Sequence, residues 1–165
     1  MRLIVVVLST VVIFPCVVFG PEKVSGTSSR AEQAVQQAGA NFLRAFNDLE
    51  WDTFQGVFAD DATIFFPWGG LRENWMKNGR ARFKSMFDAI RERDKAKGPP
   101  YLRITPGDMK IQTIGDVAIM TFHLGEDGQS RRTIVWQKRH GKWLILHLHA
   151  SNIKLTKSAE QQNTP

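Results

Sequence analysis

Cysteine and tyrosine are the scarcest residues of this 165-residue chain, which contains one of each, Cys16 and Tyr101. Cys16 lies within an apolar N-terminal stretch, so removal of that stretch would leave a chain without any thiol. A chain without thiols cannot form a disulfide, a thiolate nucleophile or a cysteine metal site. Such a domain depends on its hydrophobic core for stability.

The sequence also lacks the short motifs of several large enzyme classes. It contains no G-x-S-x-G, no P-loop and no H-E-x-x-H, so those reaction classes are not indicated. Lys and Arg number 22 against 16 Asp and Glu, a formal charge of +6. The basic residues are scattered and form no groove-reading motif, so we expect solvated faces and no nucleic-acid partner.

The first twenty residues, MRLIVVVLSTVVIFPCVVFG, place one arginine before a long apolar stretch. This pattern is typical of a secretory signal peptide. We therefore assign residues 1–26 to a signal peptide and tether and expect export to the periplasm or the exterior. The alternative is an uncleaved membrane anchor, and only in that case would the membrane be a partner.

Three helices are predicted from apolar residues at steps of three and four, over residues 30–51, 51–61 and 80–95. Alternating residues predict strands at 62–66, 101–114, 116–124, 130–139 and 142–152, and hairpin signals join the last four. We expect an α+β domain over residues 27–155, with about three helices on one face of a curved antiparallel sheet. Residues 156–165 form a polar, flexible tail.

Two segments carry a resemblance to a known family: NDLEWDTFQGVFADDATIFFP, residues 47–67, and TIVWQKRHGKWLILHLHASN, residues 133–152. They resemble the SnoaL-like branch of the nuclear transport factor 2-like superfamily and are similar to the association domain of calmodulin-dependent kinase II. The resemblance covers residues 30–153 and implies a cone-shaped sheet, the cystatin-like roll. This scaffold hosts isomerases, hydrolases, cyclases, assembly hubs and binding proteins, so it does not select a function.

The last hairpin decides which residues face the hollow of the cone, since a one-residue slip reverses every side chain. A two-residue turn needs a positive φ at His140, whereas a three-residue Arg139–Gly141 loop needs it only at the glycine. We predict the longer loop, which pairs Thr133 with His147. The inner face then carries Arg132, Ile134, Trp136, Leu144, Leu146, Leu148 and Ala150, and the outer face Arg131, Thr133, Val135, Gln137, Trp143, Ile145, His147, His149 and Ser151.

We predict a ligand site on the inner face, built from aliphatic and aromatic side chains with Arg132 towards the rim. A two-residue Asp127–Gly128 turn would add Thr121 and His123 to this face. Two loop tryptophans are costly to leave exposed and are expected to form a lid or a subunit contact. The predicted ligand-binding residues are Trp68, Trp75, Thr121, Arg132, Ile134, Trp136, Leu146 and Leu148; the alternative for the aromatic ones is plain core packing.

On the outer face, we expect a homodimer contact in which polar side chains hydrogen-bond across two sheets. Its predicted residues are Arg131, Thr133, His147, His149 and Ser151. A metal pair is the alternative for the two histidines, but no third ligand is evident and we expect no metal. A proton-carrying role for them also stays open, because histidine titrates near neutral pH.

The resemblance raises a ketosteroid-isomerase mechanism, which needs a tyrosine hydroxyl and a protonated acid beside an aspartate base. The single Tyr101 begins a predicted strand, and Asp60 and Asp61 occupy a predicted turn. We therefore prefer a domain that binds a small, mostly apolar ligand, which can carry a carboxylate, without a cofactor. The alternatives are an isomerase, cyclase or hydrolase of a hydrophobic substrate, with His123, His147 or His149 as proton carrier, and an oligomeric assembly module.

Overall fold

The computed structural model describes residues 29–125 and 130–153. The predicted signal peptide, the Asp127–Gly128 turn and the predicted tail lie outside these described residues. The helices are α1 (Arg30–Asn47), α2 (Trp51–Gln55) and α3 (Arg80–Arg93), and a π-helical turn (Trp75–Gly79) leads into α3. The strands are β1 (Phe58–Phe65), β2 (Glu73–Asn74), β3 (Gly107–Ile114), β4 (Val117–Leu124), β5 (Ser130–Arg139) and β6 (Lys142–Asn152). None of the described helices is long and apolar enough to cross a membrane.

The strands form one curved, unclosed sheet of six strands in the order β2-β1-β6-β5-β4-β3. Strands β1 and β6 run parallel, and the other neighbours run antiparallel. The predicted α+β class with about three helices is confirmed, but the sheet is mixed and not purely antiparallel.

Helix α1 begins at a conventional N-cap and buries one face against the sheet. The Ser29 hydroxyl accepts a hydrogen bond from the Glu32 amide at 3.1 Å, which satisfies one of the free amides of the first turn. Val35, Phe42 and Ala45 lie on the buried face, at the spacing that a helix of 3.6 residues per turn requires. The helix therefore presents its aromatic half to the concave side of the sheet.

An aromatic cluster centred on Phe54 fills the space between α2, α3 and β1. The Phe54 ring lies 4.8 Å from Phe87 and 5.0 Å from Phe83. Trp75 stacks on Phe58, with 4.0 Å between the ring centres and an angle of 10°. Trp75 is predicted to form a lid or a subunit contact, but it is only 2% exposed and lies in the core. The short β2 pairs with β1 and turns this tryptophan into the core.

The second helix is shorter than predicted and ends at Gln55, since strand β1 begins at Phe58. Within this strand Ala62 and Ile64 are buried while Thr63 and Phe65 are half-buried. This period of two is that of a strand with one buried face. Phe58 and Ala59, which the helical spacing had assigned to the second helix, therefore belong to β1.

The β5–β6 hairpin turns on two residues, His140 with φ 50° and Gly141 with φ 80°, so the predicted three-residue loop is wrong. A bulge follows, because Trp136 pairs with Ile145 and Val135 pairs with His147. The shorter turn and the bulge each shift the pairing by one residue. Beyond the bulge the faces therefore match those expected. Between the turn and the bulge they are reversed, because Ile145 and Trp143 pair with Trp136 and Lys138, and Leu144 pairs with Gln137.

The β4–β5 pairing contradicts the predicted Asp127–Gly128 register. Thr121 pairs with Thr133 and His123 pairs with Arg131, whereas that turn would have paired Thr121 with Ile134. Alternate residues of β4, ending with Phe122, are buried, and this burial sets the register. Thr121 and His123 consequently lie on the outer face of the sheet.

Candidate functional site

A cavity of about 200 Å³ lies between α1, α3 and the concave face of the sheet. Fifteen of its described lining residues are apolar, and Arg132 is the one charged residue among them. The apolar members are Phe42, Leu43, Phe46, Ile64, Phe65, Phe66, Pro67, Trp68, Phe83, Met86, Ile104, Phe122, Leu124, Leu148 and Ala150. An apolar wall with one placed polar group is the usual composition of a small-molecule site.

The helices supply one wall through side chains one turn apart. Phe42 and Phe46 are four residues apart on α1, so they lie one above the other on the same face. The Phe46 ring meets Phe83 of α3 edge to face at 6.2 Å. These rings pack against each other and form a continuous aromatic wall.

A backbone segment before β3 closes part of the wall. The Asn47 side chain donates to the Ile104 carbonyl at 3.1 Å and accepts from the Ile104 amide at 2.8 Å. This pair of hydrogen bonds ties an otherwise irregular stretch to the end of α1. Ile104 is thereby fixed as part of the cavity lining.

The sheet places Arg132 in the middle of the opposite wall. In the register, Arg132 pairs with Phe122 on one side and with Ala150 on the other. Paired residues project from the same face of a sheet. The Arg132 side chain therefore leaves the sheet in a row of side chains that all line the cavity.

Arg132 is held by backbone groups and has no acidic partner among the described residues. Its Nη1 donates to the Arg131 carbonyl at 2.8 Å, with a longer contact of 3.5 Å to the Ser151 carbonyl. Burial lowers the pKa of the guanidinium below its ordinary value, because desolvation disfavours the charged form. The side chain nevertheless stays cationic, since arginine does not deprotonate in proteins.

Trp68 marks the mouth of the cavity. Its ring stacks on Phe66, with 4.7 Å between the ring centres and an angle of 15°, yet the residue is 62% exposed. Gly69 and Gly70 follow with φ of 87° and 108°, conformations that glycine adopts without strain. The chain can therefore turn sharply and leave one face of the indole open to the surroundings.

Of the predicted ligand-binding residues, the structure brings Trp68, Arg132 and Leu148 to the cavity. Ile134 and Trp136 are fully buried in the core and do not line it. Leu146 sits at the bulge and does not line it either. The remaining two, Trp75 and Thr121, lie in the core and on the outer face respectively, as described above.

Several lining residues that the sequence did not indicate belong to the helices. The helical stripe that contains Phe42 and Phe46 was expected to be plain core, and the sequence carries no signal that the helix stands off from the sheet there. Phe122 could have been found, because it alternates with the buried Ala118 and Met120.

The indole Nε1 of Trp136 is buried without a hydrogen-bond partner among the described residues.

The two histidines of β6 lie on the outer face and not in the cavity. The Thr63 Oγ1 and the His147 Nδ1 are 2.7 Å apart. The Phe65 ring lies 5.7 Å from His147 and 5.5 Å from His149. Burial, then the nearby His149 and Arg72, lower the pKa of His147, so this imidazole is more readily neutral than an exposed one.

The remaining predicted residues also lie away from the cavity. Thr133 pairs with His149, and Arg131 pairs with Ser151, so the predicted interface residues share the outer face. The residues described here contain no group of three His, Cys, Asp or Glu that could hold a metal ion.

The Asp60–Asp61 pair belongs to β1 and not to a turn. Both residues are exposed. The Asp61 carboxylate accepts from Arg139 at 2.6 and 2.9 Å, and these hydrogen bonds lower the pKa of Asp61. Tyr101 is half-buried and packs against the core cluster. None of these three residues lines the cavity.

Known structures share this architecture at low sequence identity. A nuclear transport factor 2-like protein of unknown function from Pseudomonas putida has a TM-score of 0.63 at 16% identity, over 85% of this chain and 100% of that one. An uncharacterised protein with a cystatin-like fold from Caulobacter vibrioides has a TM-score of 0.59 at 15% identity, over 81% and 96%. The association domain of CaMKII from C. elegans has a TM-score of 0.52 at 20% identity, over 73% and 94%.

At these identities the likeness establishes the fold alone. No curated protein matches the sequence. The family model of the SnoaL-like domain matches residues 35–155, which is most of the chain and includes every described residue of the cavity wall. The chain therefore belongs to the SnoaL-like domain family.

Proposed function

We propose that this domain binds a small, mostly apolar molecule that carries a carboxylate, with Arg132 as the partner of the carboxylate. The observation that carries the proposal is the isolation of this guanidinium in an otherwise apolar cavity wall. A half-buried cation without an opposite charge loses part of its hydration, which is energetically costly. A carboxylate ligand would supply that charge through short, charge-assisted hydrogen bonds.

The size of the cavity limits the ligand. A buried apolar cavity of about 150 Å³ holds benzene, and the cavity here measures about 200 Å³. One ring or a short branched acyl chain with its carboxylate would fill it. A longer ligand would extend past Trp68, whose exposed indole offers a flat contact surface at the mouth.

Binding is favoured over catalysis because the described lining residues include no His, Asp, Glu or Tyr. A general acid or base must reach the reacting proton directly or through one water. His123, His147 and His149, the predicted proton carriers, lie across the sheet from the cavity. The hypothesis of a histidine-dependent isomerase, cyclase or hydrolase therefore has less support than that of a binding domain.

Export and self-association complete the proposal. The signal-peptide pattern of residues 1–20 supports export to the periplasm or exterior. The outer face of the sheet carries half-buried side chains such as Thr133, Val135 and His147, which supports a homodimer contact there. The likeness to an association domain is consistent with this arrangement. Sedimentation velocity should show a dimer that Val135→Asp dissociates, whereas a monomeric wild-type protein would contradict it.

Native mass spectrometry of protein purified from its own host tests the binding proposal. The wild-type chain should carry an additional mass that organic extraction removes and that ionises as an acid. Arg132→Gln should lose this mass, while the matched variant Arg131→Gln, altered at the exposed neighbouring arginine, should keep it. A mass that Arg132→Gln retains in full would contradict the assigned role of Arg132.

A further inference from the structure

The loop after β1 exposes apolar side chains at the mouth of the cavity. Within residues 67–72, Trp68 is 62% exposed and Leu71 is 90% exposed. Gly69 and Gly70 share a surface groove with Ser151 and Asn152 at the end of β6, and Ile153, the next residue, is 40% exposed. We call the surface formed by residues 67–72 and 151–153 the open end.

Two arginines without acidic partners lie at the open end. Arg72 belongs to the loop, and Arg131 pairs with Ser151 across the strands. Neither side chain forms an ion pair with any described residue, and both are exposed. Arg82 lies beneath the loop, where it forms an ion pair with Glu73 at 3.0 Å and stacks over the Phe66 ring. The open end thus combines an exposed tryptophan and leucine with free cationic groups.

We propose that the open end docks on an anionic lipid surface, with Trp68 and Leu71 entering the headgroup region and Arg72 contacting lipid phosphates. Tryptophan is enriched at membrane–water interfaces, where its apolar ring and polar N–H are both satisfied. Basic residues beside such an apolar surface are attracted to anionic headgroups. The docking needs no bound ligand and is independent of the proposed function.

A second copy of the chain fits the open end less well. Stable protein interfaces bury about 800 Å² on each partner, and the open end offers only three exposed apolar side chains in two short segments. A twofold contact also brings the same surface of both copies together. Arg72 and Arg131 would then approach their own copies, whereas a lipid phosphate complements their charge.

Docking in this orientation directs the mouth of the cavity, beside Trp68, towards the lipid. An apolar acid could then pass between the bilayer and the cavity without crossing water. This consequence rests on the proposed function. The docking itself is tested without any ligand, so its failure is distinguishable from a failure of ligand binding.

The experiment uses the full chain with Cys16→Ser and a single new thiol labelled with an environment-sensitive dye. One version carries Leu71→Cys in the open end. The control carries Ile114→Cys, which is 76% exposed and lies at the β3–β4 hairpin, the opposite end of the sheet. Both are titrated with vesicles of phosphatidylcholine, alone or mixed with phosphatidylglycerol. The N-terminal segment could also attach the chain to vesicles. Such attachment would insert neither position 71 nor position 114 into the bilayer, so the pair of labels distinguishes it from docking through the open end.

The dye at position 71 should shift to the blue with phosphatidylglycerol vesicles and respond weakly to phosphatidylcholine alone, while the dye at 114 stays unchanged. Arg72→Gln should weaken the vesicle affinity about fivefold, as expected for one basic residue near an anionic surface. The proposal is overturned by an unchanged dye at 71, by equal shifts at both positions, or by equal responses to both lipids. A blue shift of the dye at 71 that grows with protein concentration in the absence of vesicles would mean that a second copy of the chain covers the open end. That result would also overturn the proposal.

Discussion

The Thr63 hydroxyl and the His147 imidazole meet across the parallel strands β1 and β6, with 2.7 Å between Oγ1 and Nδ1. This contact fixes the imidazole on the outer face, away from the cavity. Burial, together with His149 and Arg72, lowers the pKa of His147. The folded state therefore resists protonation of this group more than the unfolded chain does.

The stability of the domain should consequently fall as the pH falls through the range of histidine titration. Above the ordinary histidine pKa of about 6.5, His147 is neutral in both the folded and the unfolded state. Its protonation then takes nothing from the free energy of unfolding. Below it the unfolded chain binds the proton first, so unfolding becomes easier until the lower folded pKa is passed. His147→Gln removes this dependence.

Urea unfolding of the wild-type and His147→Gln proteins at pH about 7.5 and about 5 measures the difference between their pH slopes. The carboxylates titrate equally in both proteins and cancel in the comparison. We expect the wild type to lose up to about 1 kcal/mol more than the variant, since water screens a half-buried group. Parallel pH profiles would show that the folded environment does not oppose the charge on His147.

Gly39 of α1 lies against Met120 of β4 so closely that a Cβ would come within 2.3 Å of the methionine Cε. Met120 is fully buried, and the end of its side chain must shift to make room for a Cβ. Gly39→Ala should destabilise the fold by about 1–3 kcal/mol through overpacking, although alanine favours a helix by about 1 kcal/mol.

A double-mutant cycle with Met120→Ala tests this contact by denaturant unfolding. The double variant should be more stable than the sum of the single effects by about 1 kcal/mol or more. Gln36→Ala, on the exposed side of the same helix, should change stability by less than about 0.5 kcal/mol. An increase in stability for Gly39→Ala alone would mean that the helix and the sheet are not in contact there.

The hairpin turn makes a separate prediction. His140 has φ 50° ahead of Gly141, and positive φ at both residues of a two-residue turn favours Asn-Gly. His140→Asn should raise the thermal midpoint, with a gain of up to about 1 kcal/mol, because asparagine tolerates this conformation. His140→Val should lower the midpoint by a larger amount, since β-branched residues are strained there. If both variants melt at the wild-type temperature, the turn does not hold His140 at positive φ.

Much of the sheet was predictable because its residues alternate with burial. Strands β5 and β6 have the predicted bounds, and Arg132, Leu148 and Trp68 lie on the cavity as their sequence positions suggested. Turn length was not predictable, because His140 adopts a conformation that is unfavourable in isolation and that the rest of the hairpin imposes. A difference of one residue in the β4–β5 register was enough to place Thr121 and His123 on the other face.

The two loop tryptophans show a second limit. Trp68 and Trp75 have similar polar and glycine neighbours in the sequence, yet one lines the mouth and the other stacks on Phe58 in the core. The difference depends on β2, a two-residue pairing with β1 that is too short to leave a pattern. The cavity wall was not predictable either. An apolar stripe such as that of Phe42 and Phe46 occurs both in helices that line a cavity and in helices that pack fully into a core.

The most direct test of the central claim is calorimetric titration of the wild-type domain with benzoate and with benzamide, its uncharged isostere. We predict that benzoate binds more tightly than benzamide by about tenfold or more, as expected for hydrogen bonds to a charged group. Arg132→Gln should abolish this preference and Arg131→Gln should leave it unchanged. Equal binding of benzoate and benzamide by the wild type, or a benzoate preference that survives Arg132→Gln, would contradict the role of Arg132 as the carboxylate partner.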